Sequence, residues 1–341
     1  MRKILFYSIL VFILAACNND KKKEQQAPLF LSAKEVVLLN QLIYKNNTTG
    51  SFAKYAPGYE VVFLPEAVNG NYAIIAKNKS AEQYALVIRG SLIEFSNAGF
   101  QNFILQDFNI FTIKSWNYSD SIKEAYISNG AFKGFQNLLQ LKDIKTGLTV
   151  KEFIETKIPV NSSIVISGHS LGGNLAYPLA GYLKKELPGG QKNNLHLITF
   201  AAPAAGNAAF VQDMDEKFPT AERYVTDKDI ATVFPDLDKI NELAKMIGLD
   251  SVLQMDRLNI NIIGKKLNAG DFLNIAGEIL KKTSVINKTN TYVQSQQHLR
   301  MLSINADSST SPLSAEAIFN KAYQFHKIDT YAELLGGKAL E

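Results

Sequence analysis

The chain has 341 residues, of which 46% are hydrophobic and 20% are charged, and its formal net charge is +4. This length and apolar fraction are ample for the core of one α/β domain, and no repeat or second low-complexity linker divides it. The small charge, +2 once Arg2 and Lys3 are set aside, favours neither nucleic-acid binding nor strong electrostatic attraction to a membrane. Cys17 is the only cysteine, which excludes a disulfide within the chain and a thiolate zinc site.

The N-terminus has the segment order of an export signal. Arg2 and Lys3 are followed by the apolar run Ile4–Leu14, and two alanines then precede Cys17. About eleven apolar residues are too few to cross the ~30 Å hydrocarbon core of a bilayer, which argues against a transmembrane anchor. The segment resembles a bacterial lipoprotein signal, and this resemblance implies cleavage before Cys17 and attachment of lipid to this cysteine.

Three segments are therefore expected along the chain. Residues 1–16 form the signal peptide, residues 17–28 form a polar and flexible tether, and residues 29–341 form the folded domain. A lipid on Cys17 would hold the mature protein on a membrane of the bacterial cell envelope. The oligomeric state stays open.

Strands and helices alternate through the folded domain. In chain order, the predicted elements are helix Ala33–Lys45, strands Tyr59–Leu64, Tyr72–Ala76 and Tyr84–Arg89, helix Gly134–Lys142, strand Ser163–Ser167, helix Asn174–Glu186, and strands Leu195–Ala201 and Ala221–Thr226. Several of these strands are continuous apolar runs, which is typical of a sheet covered by helices on both faces. The order predicts an α/β-hydrolase fold with a mostly parallel central sheet flanked by helices.

Residues 164–176 read IVISGHSLGGNLA, which is a strand, a turn with Ser170 at its apex, and the start of a helix. Such a nucleophile elbow needs glycine two residues before and two residues after the apical serine, and Gly168 and Gly172 meet that need. The backbone N–H of Leu171, at the start of the helix, is then a donor for an oxyanion. The pattern predicts Ser170 as a catalytic nucleophile.

A serine nucleophile needs a base within hydrogen-bond reach and a carboxylate that orients this base. In this fold class the chain order is serine, acid, histidine, which leaves His298 and His326 as candidate bases. His169 lies inside the elbow and His196 within a predicted strand, so a structural role is expected for both. His298 begins a segment, QQHLRML, that reads as a helix, where a histidine is usually a surface or packing residue.

The acid is expected at the end of a strand. Asp227 and Asp229 both follow the strand that ends at Thr226, where the catalytic acid of this fold belongs. The residues alone do not choose between the two aspartates.

Several segments in order resemble the class 3 lipase family, which includes the fungal triacylglycerol lipases and many plant and bacterial acylhydrolases. The resemblance runs from about residue 84 to residue 331. Its segments are LVIRGS (86–91), NFILQDF (102–108), FKGF (132–135), GHSLGG (168–173), LITFAAPAAGNAAF (197–210) and QFHKIDTYAELL (324–335). The chain departs from the family pattern at Phe132, where histidine is usual, at Ala201, where glycine is usual, and at Thr226, where asparagine is usual.

The resemblance implies a choice of acid and base. The family's acid is followed by a proline six residues later, which falls on Asp229 and Pro235 and leaves Asp227 as a solvated turn residue. The family's base is a histidine with a tyrosine five residues later, which falls on His326 and Tyr331.

The resemblance also implies the remaining donors for the oxyanion. Ser91 would supply the second backbone N–H beside that of Leu171, and the Ser91 hydroxyl can add a third contact. Arg89 is expected to brace this loop.

Two further segments are expected to cover the site. LIEFSNAGFQNFILQ, between Ser91 and Asp107, is rich in large apolar residues and lies where the fungal lipases have a helical lid, although packed core is the alternative. Residues 236–282 have a helical pattern and are predicted to form an insertion between the acid and the base. This insertion is expected to cap the acyl site, with a remote position as the alternative.

The expected function is hydrolysis of the carboxylic esters of lipids, as in triacylglycerol lipases, through Ser170, His326 and Asp229 and an acyl-enzyme. The expected partners are a lipid or ester substrate and, through the anchor, a membrane; no nucleic acid, metal or organic cofactor is expected. The alternatives are a phospholipase A1, a short-chain esterase, or a non-catalytic surface lipoprotein that binds lipid.

Overall fold

The computed structural model describes residues 30–92, 112–120, 122–246, 260–262, 265–267, 292–305 and 322–340. The predicted signal peptide, Cys17, the tether and almost all of the predicted lid lie outside these residues. Within them, no helix has both the length and the apolar character needed to cross a bilayer.

The helices are α1 (Ala33–Leu42), α2 (Thr48–Tyr55), α3 (Asn129–Gln140), α4 (Val150–Lys157), α5 (Leu171–Glu186), α6 (Gly189–Lys192), α7 (Ala208–Lys217), α8 (Leu237–Met246) and α9 (Ile328–Leu334). Local chemistry fixes several of the helix starts. The Ser32 hydroxyl accepts the backbone N–H of Glu35, whose carboxylate accepts the N–H of Ser32 in return, so a capping box begins α1. Thr149 and Glu152 begin α4 in the same way.

The strands are β1 (Tyr59–Phe63), β2 (Ala73–Asn78), β3 (Gln83–Ile88), β4 (Ile113–Ser115), β5 (Tyr126–Ser128), β6 (Ser163–His169), β7 (Leu195–Phe200), β8 (Gly206–Asn207), β9 (Glu222–Thr226), β10 (Ile260–Ile262), β11 (Lys265–Leu267), β12 (Tyr292–Val293) and β13 (Leu299–Leu302). Seven of them form the central sheet in the order β1-β2-β3-β6-β7-β9-β13. Pairing is parallel from β3 to β13, and β1 and β2 extend the sheet in antiparallel pairs. The predicted α/β-hydrolase fold, with a mostly parallel sheet flanked by helices, is confirmed.

The central strand β6 is buried along its whole length because helices cover both faces of the sheet. Its side chains alternate between two cores. Ile164 and Ile166 pack with α3, α4 and α5 on one face. Val165 packs with α1 and α9 on the other face. The strand therefore delivers its C-terminal end, where the serine turn begins, into the middle of the molecule.

The segment around His298 differs from the expectation. Leu299–Leu302 was expected to be helical, but it forms β13, which pairs in parallel with Arg223–Thr226 of β9 at the edge of the sheet. The i, i+3 spacing of Leu299 and Leu302 fits one face of a helix, but pairing with β9 provides the backbone hydrogen bonds here and overrides that local pattern.

The predicted insertion, residues 236–282, is described only in part. Helix α8 agrees with the helical pattern, whereas β10 and β11 pair antiparallel, so the described part is not helical throughout. Alternating isoleucines at positions 260 and 262 favour a strand. Whether the insertion caps the acyl site stays a prediction.

Candidate active site

Ser170 lies on the turn between β6 and α5 in a strained conformation. It is buried, and its φ of 58° and ψ of −127° are unusual for a residue with a side chain. Such a conformation costs about 1–3 kcal/mol and persists only where the surroundings impose it. Here the N–H of Ser170 donates to the carbonyl of Phe200, 3.0 Å away, which ties the turn to the end of β7.

The glycines on both sides of Ser170 allow the strand and the helix to approach. A Cβ added at Gly168 would lie 2.2 Å from the backbone of Gly172. A Cβ added at Gly172 would lie 2.2 Å from the carbonyl oxygen of Ile88, at the end of β3. Contacts this short are impossible, so both positions require glycine because of space and not because of φ.

The structure brings Ser170, His326 and Asp229 together. The Nε2 atom of His326 lies 2.8 Å from the Ser170 Oγ. The Nδ1 atom of the same ring lies 3.0 and 2.9 Å from the two carboxylate oxygens of Asp229. All three side chains are buried, and Asp229 and His326 are 97 positions apart in the chain. The ring has one nitrogen for each partner, which is the arrangement that passes a proton from a serine to a base.

Asp229 is held by neighbours beyond His326. The Tyr331 hydroxyl donates to its Oδ2 at 2.8 Å, and the N–H of Ala231 donates to its Oδ1 at 2.9 Å. The N–H of Thr226 donates to the Tyr331 hydroxyl at 3.1 Å. Burial, together with the charge of Asp229, raises the pKa of Tyr331 well above its ordinary value, so the phenol keeps its proton and remains a donor.

The other candidate acid has a structural contact. Asp227 was expected to be a solvated turn residue, but it is half-buried and its Oδ1 accepts the N–H of Ile304 at 3.0 Å. The N–H of Asp227 donates to the carbonyl of Leu302. Asp227 therefore joins the end of β9 to the chain that follows β13.

The other candidate base, His298, is buried, and its Nε2 lies 3.4 Å from the Oδ1 of Asp215 on α7. His196, for which a structural role is expected, contacts Glu222 at 3.6 Å and stacks on Phe30. Each of these imidazoles therefore pairs with a carboxylate other than Asp229.

The segments that carry the predicted oxyanion donors, Leu171 and Ser91, both lie near Ser170. Leu171 is the first residue of α5, where a backbone N–H has no carbonyl of its own helix to bind. A Cβ added at Gly90 would lie 3.3 Å from the Cβ of Ser170, so the backbone leading into Ser91 passes beside Ser170. Arg89 donates to the carbonyl of Gly70 at 3.2 Å and lies over the ring of Tyr72, as expected of a residue that braces this loop.

Two residues support the site through contacts that the sequence does not predict. The resemblance marks Tyr331 only by its position five residues after His326, and its hydrogen bonds to Asp229 and Thr226 are visible only in the structure. The sequence predicts a structural role for His169 but not its partner, and in the structure its Nε2 lies 2.7 Å from the carbonyl oxygen of His326. The available signal was a histidine at the end of a strand expected to be buried, since a buried polar ring must have partners.

Two of the positions at which the chain differs from the class 3 lipase pattern lie near the site. Ala201, where that pattern has glycine, has a φ of 52°, a left-handed conformation that glycine adopts without strain. Thr226, which replaces an asparagine, donates through its hydroxyl to the carbonyl of Phe325 at 3.3 Å and so ties β9 to the segment that carries His326. Among the described residues, no group of three or more histidine, cysteine or acidic side chains is arranged to hold a metal ion.

Comparison with known proteins gives one family match. Residues 87–239 match the model of the family described as Lipase (class 3). These residues include Ser91, Ser170 and Asp229 but end before His326. No curated protein sequence matches the chain.

Several solved structures are similar to this chain. The crystal structure of M37 lipase matches at 20% identity and a TM-score of 0.65, covering 89% of this chain and 94% of that one. At this identity the likeness shows the fold alone. Lipases from Rhizopus microsporus var. chinensis (17% identity, TM-score 0.45, 64% of this chain and 77% of that one) and Rhizopus niveus (18%, 0.46, 61% and 77%) are less similar and add nothing to the fold assignment.

Proposed function

We propose that this chain, whose match over residues 87–239 supports its place in the class 3 lipase family, hydrolyses carboxylic esters of lipids through Ser170, His326 and Asp229. One observation carries the proposal. A single imidazole, that of His326, lies within hydrogen-bond distance of both the serine hydroxyl and a buried carboxylate. The contacts of the site support acyl transfer by Ser170, whereas the class of lipase-type hydrolase and the lipid substrate rest on the family match.

The reaction follows from these contacts. His326 accepts the proton of the Ser170 hydroxyl through Nε2 as the oxygen attacks the ester carbonyl carbon. Asp229 accepts a hydrogen bond from the Nδ1–H of His326 and stabilises the imidazolium. The N–H groups of Leu171 and Ser91 bind the oxyanion, each contributing about 3 kcal/mol of barrier lowering.

The tetrahedral intermediate then breaks down in the usual order. The alcohol leaves with the proton from His326, and the acyl group stays on Ser170. A water molecule, deprotonated by His326, attacks the carbonyl carbon of the acyl-enzyme; the bond from that carbon to the Ser170 oxygen then breaks, His326 returns the proton to this oxygen, and the carboxylic acid leaves. The predicted lid would act before these steps, as a cover that admits substrate, but almost all of its residues lie outside the described part of the chain.

A fluorophosphonate probe tests the function directly. Such a probe phosphonylates a serine only where a base and oxyanion donors activate it, so we expect stoichiometric labelling of Ser170 and none in Ser170→Ala. Peptide mapping by mass spectrometry identifies the labelled residue. Ser167→Ala is a control, because Ser167 lies on β6 and bonds to Asn40, and it should label like the wild type.

Substrate profiling separates the remaining alternatives. Activity that rises with acyl chain length on triacylglycerols supports a lipase, whereas a preference for phospholipids or for short acyl chains indicates a phospholipase A1 or an esterase. A correctly folded wild-type protein that does not label would indicate a non-catalytic lipid-binding protein and would contradict the proposal.

The membrane anchor is a separate proposal, which rests on the sequence of the N-terminus. If Cys17 carries lipid, the protein expressed in a bacterial host should enter the detergent phase and incorporate radioactive palmitate, and Cys17→Ser should lose both properties. Loss of all anchoring acyl chains should move nearly all of the protein to the aqueous phase, because each buried CH₂ contributes about 0.8 kcal/mol to membrane binding.

Ser170→Ala is the matched control for this experiment. It should remain anchored and palmitate-labelled although it is expected to be inactive. A mature protein that retains Met1 would contradict the signal assignment, whatever the result for ester hydrolysis.

A further inference from the structure

We propose that Tyr44 and His169 are positioning residues. They hold the backbone at Gly90, which leads into the proposed oxyanion donor Ser91, in a fixed position relative to the proposed base His326. This inference rests on the proposed function. Three hydrogen bonds link Gly90, Tyr44, His169 and the carbonyl of His326 in one chain. Neither Tyr44 nor His169 touches the position of the substrate's reacting atoms in the mechanism above.

The first link is between His169 and the base. The Nε2 of His169 lies 2.7 Å from the carbonyl oxygen of His326. A carbonyl only accepts hydrogen bonds, so Nε2 must carry a hydrogen. Burial and the neighbouring His326 imidazole lower the pKa of His169 to about 3, so the ring is neutral and its Nδ1 has no hydrogen. The structure therefore assigns one tautomer to His169.

A neutral His169 also suits the chemistry at His326. The centroids of the two rings lie 4.9 Å apart. When His326 takes the serine proton and becomes positively charged, a charged ring at this distance would oppose the transfer. The buried, neutral His169 supports the backbone of the base without that repulsion.

The second link is Tyr44, which lies just beyond the end of α1. Its hydroxyl is 2.9 Å from the Nδ1 of His169 and 3.0 Å from the N–H of Gly90. Because Nδ1 can only accept, the hydroxyl donates to it and accepts from Gly90. Burial raises the pKa of Tyr44, which keeps the hydroxyl protonated and able to donate.

The third link is the backbone at Gly90, which precedes the proposed oxyanion donor Ser91. A Cβ at Gly90 would lie 2.3 Å from the Tyr44 hydroxyl and 2.5 Å from the carbonyl oxygen of His169. The close approach is therefore possible only with glycine at this position. Tyr44 thus fixes the orientation of the peptide that leads into Ser91 relative to the elbow.

The segment of His326 is held by side chains at two consecutive carbonyls. His169 binds the carbonyl of His326, and Thr226 binds that of Phe325. The ring must satisfy Ser170 on one side and Asp229 on the other within a few tenths of an ångström, and a small displacement of its backbone disturbs both contacts. A defect in the chain of hydrogen bonds should therefore lower kcat more than it changes KM.

Kinetics with a soluble short-chain nitrophenyl ester test the proposal on the full chain. We expect Tyr44→Phe and His169→Leu each to lower kcat about tenfold with KM within about twofold, because each leaves buried groups unpaired and loosens the alignment. The double variant should lose no more than about tenfold, since both substitutions break the same chain. His169→Gln should be more active than His169→Leu, because its amide can still donate to the His326 carbonyl.

Tyr59→Phe and His196→Gln are the matched controls. Tyr59 loses a hydrogen bond to Glu35 and His196 a contact with Glu222, both away from the site, and kcat should stay within about twofold of the wild type. Thermal unfolding of each variant separates loss of activity from loss of fold.

If Tyr44→Phe unfolds, the comparison of kcat between His169→Gln and His169→Leu still tests the proposal. Unchanged kcat in a folded His169→Leu, or effects of the two substitutions that multiply to about a hundredfold, would overturn the proposal.

Nitrogen-15 NMR of the imidazole rings provides a readout that does not depend on turnover. His169 should show a protonated Nε2 and an unprotonated Nδ1 from pH 5 to pH 8, and Tyr44→Phe should shift the Nδ1 resonance because it removes the donor. A wild-type protein without esterase activity would contradict the proposed function. The nitrogen-15 spectrum would still test whether the hydrogen bonds from Gly90 through Tyr44 and His169 to His326 exist. The opposite tautomer, or an Nδ1 resonance unaffected by Tyr44→Phe, would overturn the positioning role.

Discussion

Ser170→Ala and His326→Ala are each expected to lower kcat for ester hydrolysis by about 10⁴- to 10⁶-fold. The first substitution removes the nucleophile, and the second removes the only imidazole that lies within hydrogen-bond distance of the Ser170 hydroxyl among the described residues. The two losses should not multiply in the double variant, because the residues act as a unit. Steady-state kinetics, with circular dichroism to verify the fold, measure the effect.

Asp229→Asn should lower kcat by about 10⁴-fold. The carboxylate accepts a hydrogen bond from the Nδ1–H of His326. An amide nitrogen in the same place would instead donate to Nδ1 and so favour the wrong tautomer of the ring. Ala231 and Tyr331 also donate to this carboxylate, so a rotated amide would lose one of its partners as well. The defect should therefore be in kcat with a modest loss of stability.

His298→Gln is the matched control for the base. His298 is a buried histidine close to a carboxylate, that of Asp215, and it differs from His326 in having no contact with Ser170. Its replacement should leave kcat near that of the wild type. An inactive His298→Gln together with an active His326→Ala would show that the base had been assigned wrongly.

The sequence was most informative where a tight turn requires a particular local pattern of residues. The run of Ile164–Ile166 followed by Gly168, Ser170 and Gly172 predicts a strand, a tight turn and a helix, and the structure has all three. The spacing of the glycines predicts the turn because all the residues that the turn requires lie within five consecutive positions. The same locality explains why most of the central strands were predicted to within about two residues.

The partners of Ser170 were less readable. Local sequence places Asp227 and Asp229 at the same strand end, and only their hydrogen bonds distinguish them: one accepts from Ile304 and the other from Ala231 and Tyr331. Family resemblance favoured Asp229, and the structure brings Asp229 to His326. The residues alone could not do so, because Asp229 and His326 are 97 positions apart in the chain.

Contacts between distant elements were not predictable at all. Tyr44 is 125 residues from His169 in the chain, and only the packing of α1 on the sheet brings them together. The strand β13 illustrates the same limit, because LRML carries a helical spacing and becomes a strand through its pairing with β9. Pairing of this kind depends on the whole topology and leaves no signal in a short window.

Gly172→Ala should destabilise the protein by about 3 kcal/mol or more. In a helix, glycine to alanine is ordinarily favourable by about 1 kcal/mol, and the φ of Gly172 does not require glycine. At Gly172 the lack of space for a Cβ makes the substitution destabilising. The added Cβ would meet the carbonyl oxygen of Ile88 at 2.2 Å and the backbone of Arg89 and Gly90 at 2.9 Å, and none of these atoms belongs to a side chain that could rotate away.

To relieve that contact, β3 must separate from the start of α5. The same movement would displace Gly90 and Ser91 from Ser170, so any protein that still folds should also have a low kcat. Urea unfolding measures the stability, and Gly189→Ala is the control, because a Cβ at Gly189 meets nothing within 4 Å and alanine there should be neutral or stabilising by up to about 1 kcal/mol. A Gly172→Ala protein as stable and active as the wild type would mean that strand and helix are farther apart than the elbow geometry requires, and the assignment of Ser91 as an oxyanion donor would lose its structural basis.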